Sequence, residues 1–274
     1  MKLNEFADAL HKVGVSEYKN EAYIFIEEIF GVKYADILAD AQREYDEEKL
    51  LSVISKRKNG IPLQHIIGKW YFMGEEYKVS GDCLIPRADT EILAEKAIRL
   101  AKDAYRVADL CTGSGCIGIS LLKECPQIKC TLVDISEKAL LIAKENAYRH
   151  GVYERCEFLL ADVTRDILKG EYDLILSNPP YIPTKDIASL SREVKKEPVL
   201  ALDGGEDGFD IILPLIENSL LHLKDGGYLL IEFGYDQGDD MRRILNKKAD
   251  ENKISSFEIL KDYSQNDRAC VIRK

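Results

Sequence analysis

The sequence predicts an α/β protein in which a mostly parallel sheet, covered by helices on both faces, follows a small helical domain. Three observations lead to this prediction. The first sixty residues carry apolar side chains at helical spacing. From Asp89 onward, short apolar runs typical of buried strands alternate with helical segments. The last two apolar runs are separated only by Asp262–Asp267, too short for a crossover helix, so these two strands should be antiparallel.

Helices account for the N-terminal domain, which we place at residues 1–62. The first helix has one apolar face, formed by Leu3, Phe6, Ala7 and Leu10. Ser16 is the predicted N-cap of a second helix, which ends at Gly31. The second helix should bury Ala22, Phe25, Ile26 and Ile29. A third helix runs from near Asp46 to the basic run Lys56–Lys58, and this order of charges suits the helix dipole, so we interpret the basic run as a helix end.

Residues 63–84 predict a β-hairpin that links the two domains. Its short β-like runs are Ile66-Ile67, Trp70-Tyr71-Phe72 and Tyr77-Lys78-Val79. Glycines 68, 74 and 81 break these runs. We interpret the aromatic side chains as packing residues of the hairpin rather than as a platform for a ligand.

The larger domain covers residues 85–274. Its predicted strands are 106–110, 130–134, 157–160, 172–177, 227–233, 256–261 and 268–272. Predicted helices lie at about 90–102, 116–124, 136–150, 209–223 and 238–249. A seven-stranded sheet that is parallel at first and ends in an antiparallel hairpin is the Rossmann-like arrangement typical of class I methyltransferases.

Composition limits the class of partner. The chain has 274 residues and a formal net charge of −10. A protein that binds a duplex through its phosphates usually has a basic face, so the charge argues weakly against nucleic acid. No apolar run approaches the roughly 20 residues that a membrane-spanning helix needs. The seven cysteines are scattered, without a C-x-x-C pair, so we expect reduced thiols, no metal site and a cytoplasmic protein.

A glycine-rich loop follows the first strand of the larger domain. Gly113, Gly115 and Gly118 satisfy G-x-G-x-x-G between a strand and a helix, and the acidic Asp134 ends the next strand. This pattern is typical of a nicotinamide dinucleotide site, where glycines admit the ligand and the acid binds ribose hydroxyls. S-adenosylmethionine also carries an adenosine ribose, so the pattern leaves both nucleotides open.

Two further features favour S-adenosylmethionine. Asp109 comes just before the glycines, where it would repel a pyrophosphate but can position a loop around a ligand that carries an ammonium group. Ala161-Asp162-Val163 follows the third strand, where the Asp162 carboxylate and a backbone amide can bind an adenine edge.

The run Asn178-Pro179-Pro180-Tyr181 is the most specific motif in the chain. It follows a buried strand, at the sheet edge where open α/β sheets bind ligands. An amide or aromatic amine keeps its lone pair in a π system, so its nitrogen must be held by hydrogen-bond acceptors before it can attack a methyl group. The Asn178 side-chain oxygen and the Pro179 carbonyl can serve as these acceptors, and Tyr181 offers a flat face for a planar group. We therefore predict Asn178, Pro179 and Tyr181 as catalytic residues, with Pro180 completing the substrate site.

From about residue 57 onward the sequence resembles the peptide chain release factor glutamine N5-methyltransferases. The motifs that carry the resemblance are Gly60–Gly68, Ile85–Glu91, Asn178–Tyr181, Glu197-Pro198, Ala201–Gly208, Glu232–Gly234 and Asp262–Arg268. The segments at 85–91 and 197–208 are not shared by nitrogen methyltransferases at large, so they indicate this subfamily.

The resemblance implies that the protein methylates the glutamine of the Gly-Gly-Gln loop in a translation release factor, which the N-terminal domain helps to engage. It implies that S-adenosylmethionine is bound by Cys111, Thr112, Gly113, Ser114, Gly115, Asp134, Asp162, Val163 and Asn178. The substrate glutamine is implied to lie against Asn178–Tyr181. We expect a monomer that binds neither nucleic acid nor membrane.

Two positions depart from the family pattern. Cys111 stands where the family typically has glycine, and Ala88 where it has proline. We expect the loop to tolerate Cys111 through a negative φ. A nucleic-acid adenine or guanine N-methyltransferase would share the Asn178 motif, and an NAD-binding oxidoreductase would share the glycine loop. Such an oxidoreductase needs an acid or base near its nicotinamide, and we expect all four histidines, 11, 65, 150 and 222, to lie away from the ligand edge of the sheet.

Overall fold

The computed structural model describes residues 1–40, 42–165 and 168–274. The chain divides into two compact units. The first comprises Met1–Lys69 and Ser191–Lys196, and the second comprises Trp70–Leu190 and Glu197–Lys274. None of the described helices has both the length and the apolar character that crossing a membrane would require.

The first unit is helical. Its helices are α1 (Leu3–Lys12), α2 (Tyr18–Phe30), α3 (Tyr34–Ala39), α4 (Glu47–Lys58) and α5 (Leu63–Ile67). The predicted apolar face of α1 is confirmed, because all four of its residues are buried. The helix α3 was not predicted, since its six residues are too few for a periodic pattern to emerge.

The helix ends agree with the sequence only in part. The prediction of Ser16 as an N-cap is wrong, because α2 begins at Tyr18 and has no side-chain cap. Gly31 ends α2 as predicted, with a φ of +66° that suits glycine. At the start of α4 the Asp46 carboxylate accepts a hydrogen bond from the Lys49 backbone at 3.1 Å.

Arg57, in the basic run that ends α4, is buried rather than solvated. Its side chain is 1% exposed and makes a two-pronged ion pair with Glu21, both distances being 2.8 Å. Arg57 also donates to Glu193 at 2.7 Å and to the Ile61 carbonyl at 2.8 Å. A nearby guanidinium, Arg192, donates to the Val13 carbonyl at 3.0 Å. These bonds explain why Ser191–Lys196 belongs to the helical unit.

The hairpin is shorter than the predicted 63–84. Its strands are β1 (Lys69–Phe72) and β2 (Glu75–Lys78), joined by Met73 and Gly74, which both have a positive φ. Ile66-Ile67 forms the end of α5 instead of a strand. Gly68, at a φ of +77°, then ends that helix. Phe72 and Tyr77 are fully buried, so these aromatic residues of the hairpin do serve in packing.

The second unit contains a seven-stranded sheet, as predicted. Its strands are β3 (Arg106–Leu110), β4 (Lys129–Asp134), β5 (Cys156–Leu160), β6 (Tyr172–Ser177), β7 (Leu223–Glu232), β8 (Ser256–Lys261) and β9 (Asp267–Arg273). Their order in the sheet is β5-β4-β3-β6-β7-β9-β8. The pairs among β3 to β7 are parallel, and β9 is antiparallel to both of its neighbours. The direction of winding reverses between β3 and β6, which is where sheets of this kind bind ligands.

Helices cover both faces of this sheet. They are α6 (Glu91–Leu100), α7 (Cys116–Glu124), α8 (Glu137–Arg149), α9 (Thr184–Ile187), α10 (Ile212–His222) and α11 (Gly238–Asp250). Alternate residues of β3 enter different cores: Val107 packs with α6 and α7, whereas Ala108 packs with α10 and α11. Burial on both faces explains why the strands read as continuous apolar runs.

Candidate functional site

A cavity lies at the carboxyl ends of β3, β4 and β6 and holds about 1130 Å³ of space, part of it open to solvent. Nine residues predicted from the sequence line it: Cys111, Thr112, Gly113, Ser114, Asp134, Asp162, Val163, Asn178 and Pro180. Three other predicted residues, Gly115, Pro179 and Tyr181, are not among the lining residues.

The glycines of the loop have different tasks. Gly113 has a φ of +55°, and a Cβ added there would meet no atom within 4 Å, so its backbone is open to a ligand. Gly115 instead serves helix packing, because an added Cβ would lie 2.7 Å from Ile119 Cδ1. Likewise, a Cβ at Gly118 would lie 2.6 Å from Leu132 Cδ2.

The expectation for Cys111 was wrong. Its φ is +56°, in the left-handed region that costs a non-glycine residue about 1 kcal/mol or more. This strain accounts for the glycine that is typical of the family at this position. Burial raises the pKa of the Cys111 thiol, which disfavours a reactive thiolate. Ala88 is accommodated without change, since the preceding Arg87 has an extended backbone like that before a proline.

Asp109 holds the glycine-rich loop in position through hydrogen bonds, as the sequence predicted. Its Oδ2 accepts from the Thr112 hydroxyl at 2.6 Å and from the Gly118 backbone at 3.0 Å. Its Oδ1 is buried and has no hydrogen-bond partner among the described residues. Burial raises the pKa of Asp109 to about 7. The carboxyl group thus ties both ends of the glycine loop to β3.

Asp134 lines the cavity at the end of β4. Its two oxygens accept from the backbone of Gly113 at 2.9 Å and of Ser136 at 2.8 Å. Burial raises the pKa of Asp134, although these two hydrogen bonds oppose the shift. Each carboxylate oxygen has a second lone pair, so Asp134 can still accept from the hydroxyl groups of a ligand.

Asp162 and Val163 follow β5 and form another wall of the cavity. Asp162 Oδ1 accepts from both the backbone and the hydroxyl of Thr164, and these bonds lower the pKa of Asp162. Asn218 donates to the Val163 carbonyl at 3.3 Å. The Asp162 carboxylate therefore stabilises its own turn in addition to facing the cavity.

Asn178 stands where β6 ends. Its Nδ2 donates to Thr90 Oγ1 at 3.2 Å, and no described residue donates to its Oδ1. The preceding Ser177 locks the strand end, because its hydroxyl donates to the Leu110 carbonyl at 2.9 Å. Pro179 and Pro180 are buried. The carboxamide oxygen of Asn178 is thus an unused acceptor at the cavity wall.

Tyr181 and the residue after it are fixed by hydrogen bonds, some of which come from the segment 201–208. Its hydroxyl donates to Glu232 Oε1 at 3.2 Å, and its carbonyl accepts from Gln237 Nε2 at 3.0 Å. The next residue, Ile182, exchanges backbone hydrogen bonds with Leu202 at 3.0 Å and Gly204 at 2.8 Å. The segment 201–208 is therefore a backbone clamp on the Asn178 motif, a role that the sequence did not reveal.

Further lining residues received no role from the sequence, among them these eleven: Asp82, Cys83, Leu84, Pro86, Arg87, Thr90, Pro198, Leu200, Ala201, Asp203 and Ile211. Most fall in the segments 85–91 and 197–208, whose only signal was the family resemblance. Buried Glu197 joins the two segments, since it accepts from Ile85 N at 2.8 Å and pairs with Arg87.

The charges of the cavity are mostly negative. Asp82, Asp134, Asp162 and Asp203 line it, and Arg87 is the one lysine or arginine among the described lining residues. As predicted, none of the four histidines is among them. A mostly acidic lining suits a cationic ligand better than a pyrophosphate.

Comparison with known proteins identifies the family. Residues 2–68 match the PrmC N-terminal domain, and residues 88–197 match the Methyltransferase small domain. A release factor glutamine methyltransferase of Aquifex aeolicus is 35% identical over 94% of this chain and 92% of the relative. Relatives of the same name from Koribacter versatilis and Clostridium botulinum are 39% and 34% identical over 90% and 97% of this chain, and over 85% and 95% of their own lengths.

A solved structure agrees on the fold. The ribosomal protein L11 methylase from Lactobacillus delbrueckii subsp. bulgaricus superimposes with a TM-score of 0.51 and 24% identity, over 71% of this chain and 82% of the other. The sheet order, the cavity at its switch point and the full-length similarity to these relatives agree: the chain belongs to the family of release factor glutamine methyltransferases.

Proposed function

We propose that this protein transfers the methyl group of S-adenosylmethionine to the side-chain amide nitrogen of the glutamine in the Gly-Gly-Gln motif of peptide chain release factors. The observation that carries the proposal is the free acceptor Asn178 Oδ1 at the cavity wall, followed by two buried prolines. Membership of the family supports glutamine methylation of a release factor, because the relatives are named release factor glutamine methyltransferases.

The residues around the cavity fit S-adenosylmethionine. Asp134 has free lone pairs for the two ribose hydroxyls, and Val163 with Asp162 can bind the adenine. The loop 111–115 leaves its backbone open at Gly113 for the methionine part of the cofactor. When bound, S-adenosylmethionine supplies a methyl group on a positively charged sulfur, and the acidic lining favours that charge.

The chain's own contribution is to prepare the nucleophile. Asn178 Oδ1 and the Pro179 carbonyl accept from the two N–H groups of the substrate amide, which weakens the conjugation of its lone pair. The nitrogen would gain the methyl group as the bond between that group and the sulfur of S-adenosylmethionine breaks, and it would then give up one proton to solvent. Because the proton leaves after the transfer, positioning and fixed dipoles suffice without a general base. Pro180 lines the cavity beside Asn178 and completes the wall on which the planar amide rests, and Tyr181 supports that wall from outside the lining.

Two alternatives are less well supported. A nucleic-acid N-methyltransferase would need a phosphate-binding surface, whereas this chain has a net charge of −10 and an acidic cavity. An NAD-binding oxidoreductase would need its pyrophosphate at the glycine loop near Asp109, and charge repulsion opposes that placement.

The function is tested with methyl-labelled S-adenosylmethionine. We expect label in an intact release factor, no label in the same factor with its motif glutamine replaced by alanine, and none in DNA or transfer RNA. Label that persists after the glutamine is replaced would contradict the assignment of the acceptor. Label in nucleic acid alone would favour the first alternative.

The cofactor site gives a first quantitative prediction. Replacing Asp134 with alanine should weaken S-adenosylmethionine binding by about 1–3 kcal/mol, the range for losing hydrogen bonds to a charged group. Calorimetry on the purified variant measures this loss. Asp134→Asn is the matched control, because it keeps one acceptor and should lose less affinity. Unchanged affinity in Asp134→Ala would place the ribose elsewhere.

We assign the helical unit a docking role for the release factor. Its surface carries large apolar side chains that are about half exposed, namely Tyr34, Leu38 and Leu51. Contacts remote from the reacting atoms can position a substrate loop and so raise turnover as well as affinity. A monomeric state, a cytoplasmic location and the absence of a nucleic-acid partner remain predictions.

The docking role predicts a difference between substrates. An intact release factor should have a kcat/KM at least about tenfold above that of a short Gly-Gly-Gln peptide, because remote binding energy is available only to the protein. The double change Tyr34→Ala and Leu38→Ala should reduce this ratio without altering the rate on the peptide. Leu141→Ala, at a site of α8 that is 55% exposed, is the control. Equal rates on peptide and protein would count against docking.

A further inference from the structure

Asn178 is held by a neighbour to which the sequence assigned no role. Its carboxamide nitrogen donates to Thr90 Oγ1 at 3.2 Å. Thr90 lies in a short 3-10 turn directly before α6 and is only 3% exposed. Its backbone N–H donates to the Arg87 carbonyl at 3.1 Å. The Thr90 hydroxyl is therefore a buried acceptor at a fixed position beside Asn178.

Glu232 offers an acceptor for the hydroxyl proton of Thr90. It ends β7 and is 1% exposed. Its Oε1 accepts from the Tyr181 hydroxyl at 3.2 Å, whereas its Oε2 is buried and has no hydrogen-bond partner within 3.5 Å among the described residues. Burial raises the pKa of Glu232 to about 7, and hydrogen bonding by Thr90 and Tyr181 opposes that shift. A buried oxygen that lacks a donor favours a hydroxyl that turns toward it.

The two ends of a carboxamide have nearly the same shape, so its orientation is decided by its hydrogen bonds. If Asn178 Oδ1 faced Thr90, the hydroxyl would have to donate to it, and Glu232 would lose that donor. With Nδ2 facing Thr90, the hydroxyl accepts from Asn178, and its own proton is left to turn toward the unpartnered oxygen of Glu232. Only this second orientation leaves Oδ1 free for a substrate N–H.

We propose that Thr90 is a positioning residue for methyl transfer, which selects the productive orientation of the Asn178 carboxamide while Glu232 holds the Thr90 hydroxyl in place. Without this selection, the NH₂ group of Asn178 would face the NH₂ group of the substrate for part of the time, and two donors cannot pair. This inference rests on the proposed function, because it assigns Thr90 to the same reaction.

The test uses the full-length protein with an intact release factor. Thr90→Val keeps the shape of the side chain but can neither accept from Asn178 nor donate to Glu232. We expect the single-turnover rate to fall about 10- to 100-fold, since small misplacements at a reacting centre reach this size. The affinity for S-adenosylmethionine and the KM for the release factor should change less than about twofold. Thr90→Ser restores the hydroxyl and should recover most of the rate.

A matched control exists in the same unit. Thr131 is 5% exposed, and its hydroxyl lies 3.4 Å from both Glu157 and the Tyr172 hydroxyl; none of these three residues lines the cavity. Thr131→Val removes a comparable buried hydroxyl and should leave the transfer rate unchanged. An equal loss of rate in Thr131→Val and Thr90→Val would overturn the proposal, because it would indicate a general effect on the fold.

A double-mutant cycle separates positioning from an independent role. If Thr90 acts through Asn178, then Thr90→Val should have almost no further effect in an Asn178→Ala background. Effects that multiply would overturn the proposal, as would a wild-type rate in Thr90→Val. Should Thr90→Val bind no cofactor, Thr90→Ala serves in the same cycle. If the wild-type protein is inactive on release factors, the proposed function fails together with the proposal for Thr90. If the wild-type protein is active and Thr90→Val keeps its rate, only the proposal for Thr90 fails.

Discussion

Replacing Asn178 with alanine is expected to lower kcat by about 10²–10³-fold, the range found when a single preorganised contact to a transition state is lost. The reason is that Asn178 Oδ1 is the free acceptor at the cavity wall, and its bond to the substrate nitrogen strengthens as that nitrogen rehybridises. The fold should survive, because Asn178 lies at a strand end, partly exposed, outside the two apolar cores. Single-turnover rates and the affinity for S-adenosylmethionine provide the measurement.

The aspartate variant makes this test sharper. Asn178→Asp keeps an acceptor, so it should retain more activity than alanine if acceptance alone matters. It also adds a negative charge, which can tighten cofactor binding and slow transfer. A near-wild-type single-turnover rate in Asn178→Ala would contradict the mechanism. Loss of cofactor affinity alone would make Asn178 a cofactor ligand.

The second large effect is expected at Gly204, in the backbone clamp behind Tyr181. A Cβ added at Gly204 would lie 2.7 Å from Tyr181 Cα and 2.8 Å from the Gly208 carbonyl oxygen. Both atoms belong to the backbone and cannot rotate away, so the Asn178 motif must shift. Gly204→Ala should therefore lower kcat about 100-fold and reduce the free energy of unfolding by about 1–3 kcal/mol.

Gly81→Ala is the matched control for this change. Gly81 also lacks a positive φ, and a Cβ there would meet nothing within 4 Å. Its rate and its free energy of unfolding should stay close to those of the wild type. Denaturant unfolding and single-turnover kinetics measure both quantities. Wild-type kinetics in Gly204→Ala would show that segment 201–208 does not position the motif.

The sheet could be predicted well because each of its signals is local. The strands β3 and β6 have the predicted bounds, since a strand buried on both faces is an apolar run with polar ends. Asp134 ends β4 and Asn178 follows β6, and the carboxyl ends of these parallel strands lie at one edge of the sheet. The sequence alone was therefore enough to predict that both residues lie at one ligand site.

Other features depend on partners distant in the chain, and the sequence could not predict them. Ile66 and Ile67 fit a strand by composition, but they end the helix α5, which packs against α2 and α4. The positive φ of Cys111 follows from the loop's bonds to β3 and β4, and not from the cysteine itself. The role that we propose for Thr90 depends on its hydrogen bond with Asn178, a residue 88 positions away.

The buried ion pair of Arg57 has a consequence for the synthesis of the protein. Glu193 is translated 136 residues after Arg57, which at roughly 5–20 residues per second is a delay on the order of ten seconds. During that interval the nascent helices have Glu21 as a partner for Arg57 but still lack Glu193. The helical unit is therefore complete only after the Asn178 motif has been translated. No continuous fragment that ends before residue 191 can contain the whole of that unit.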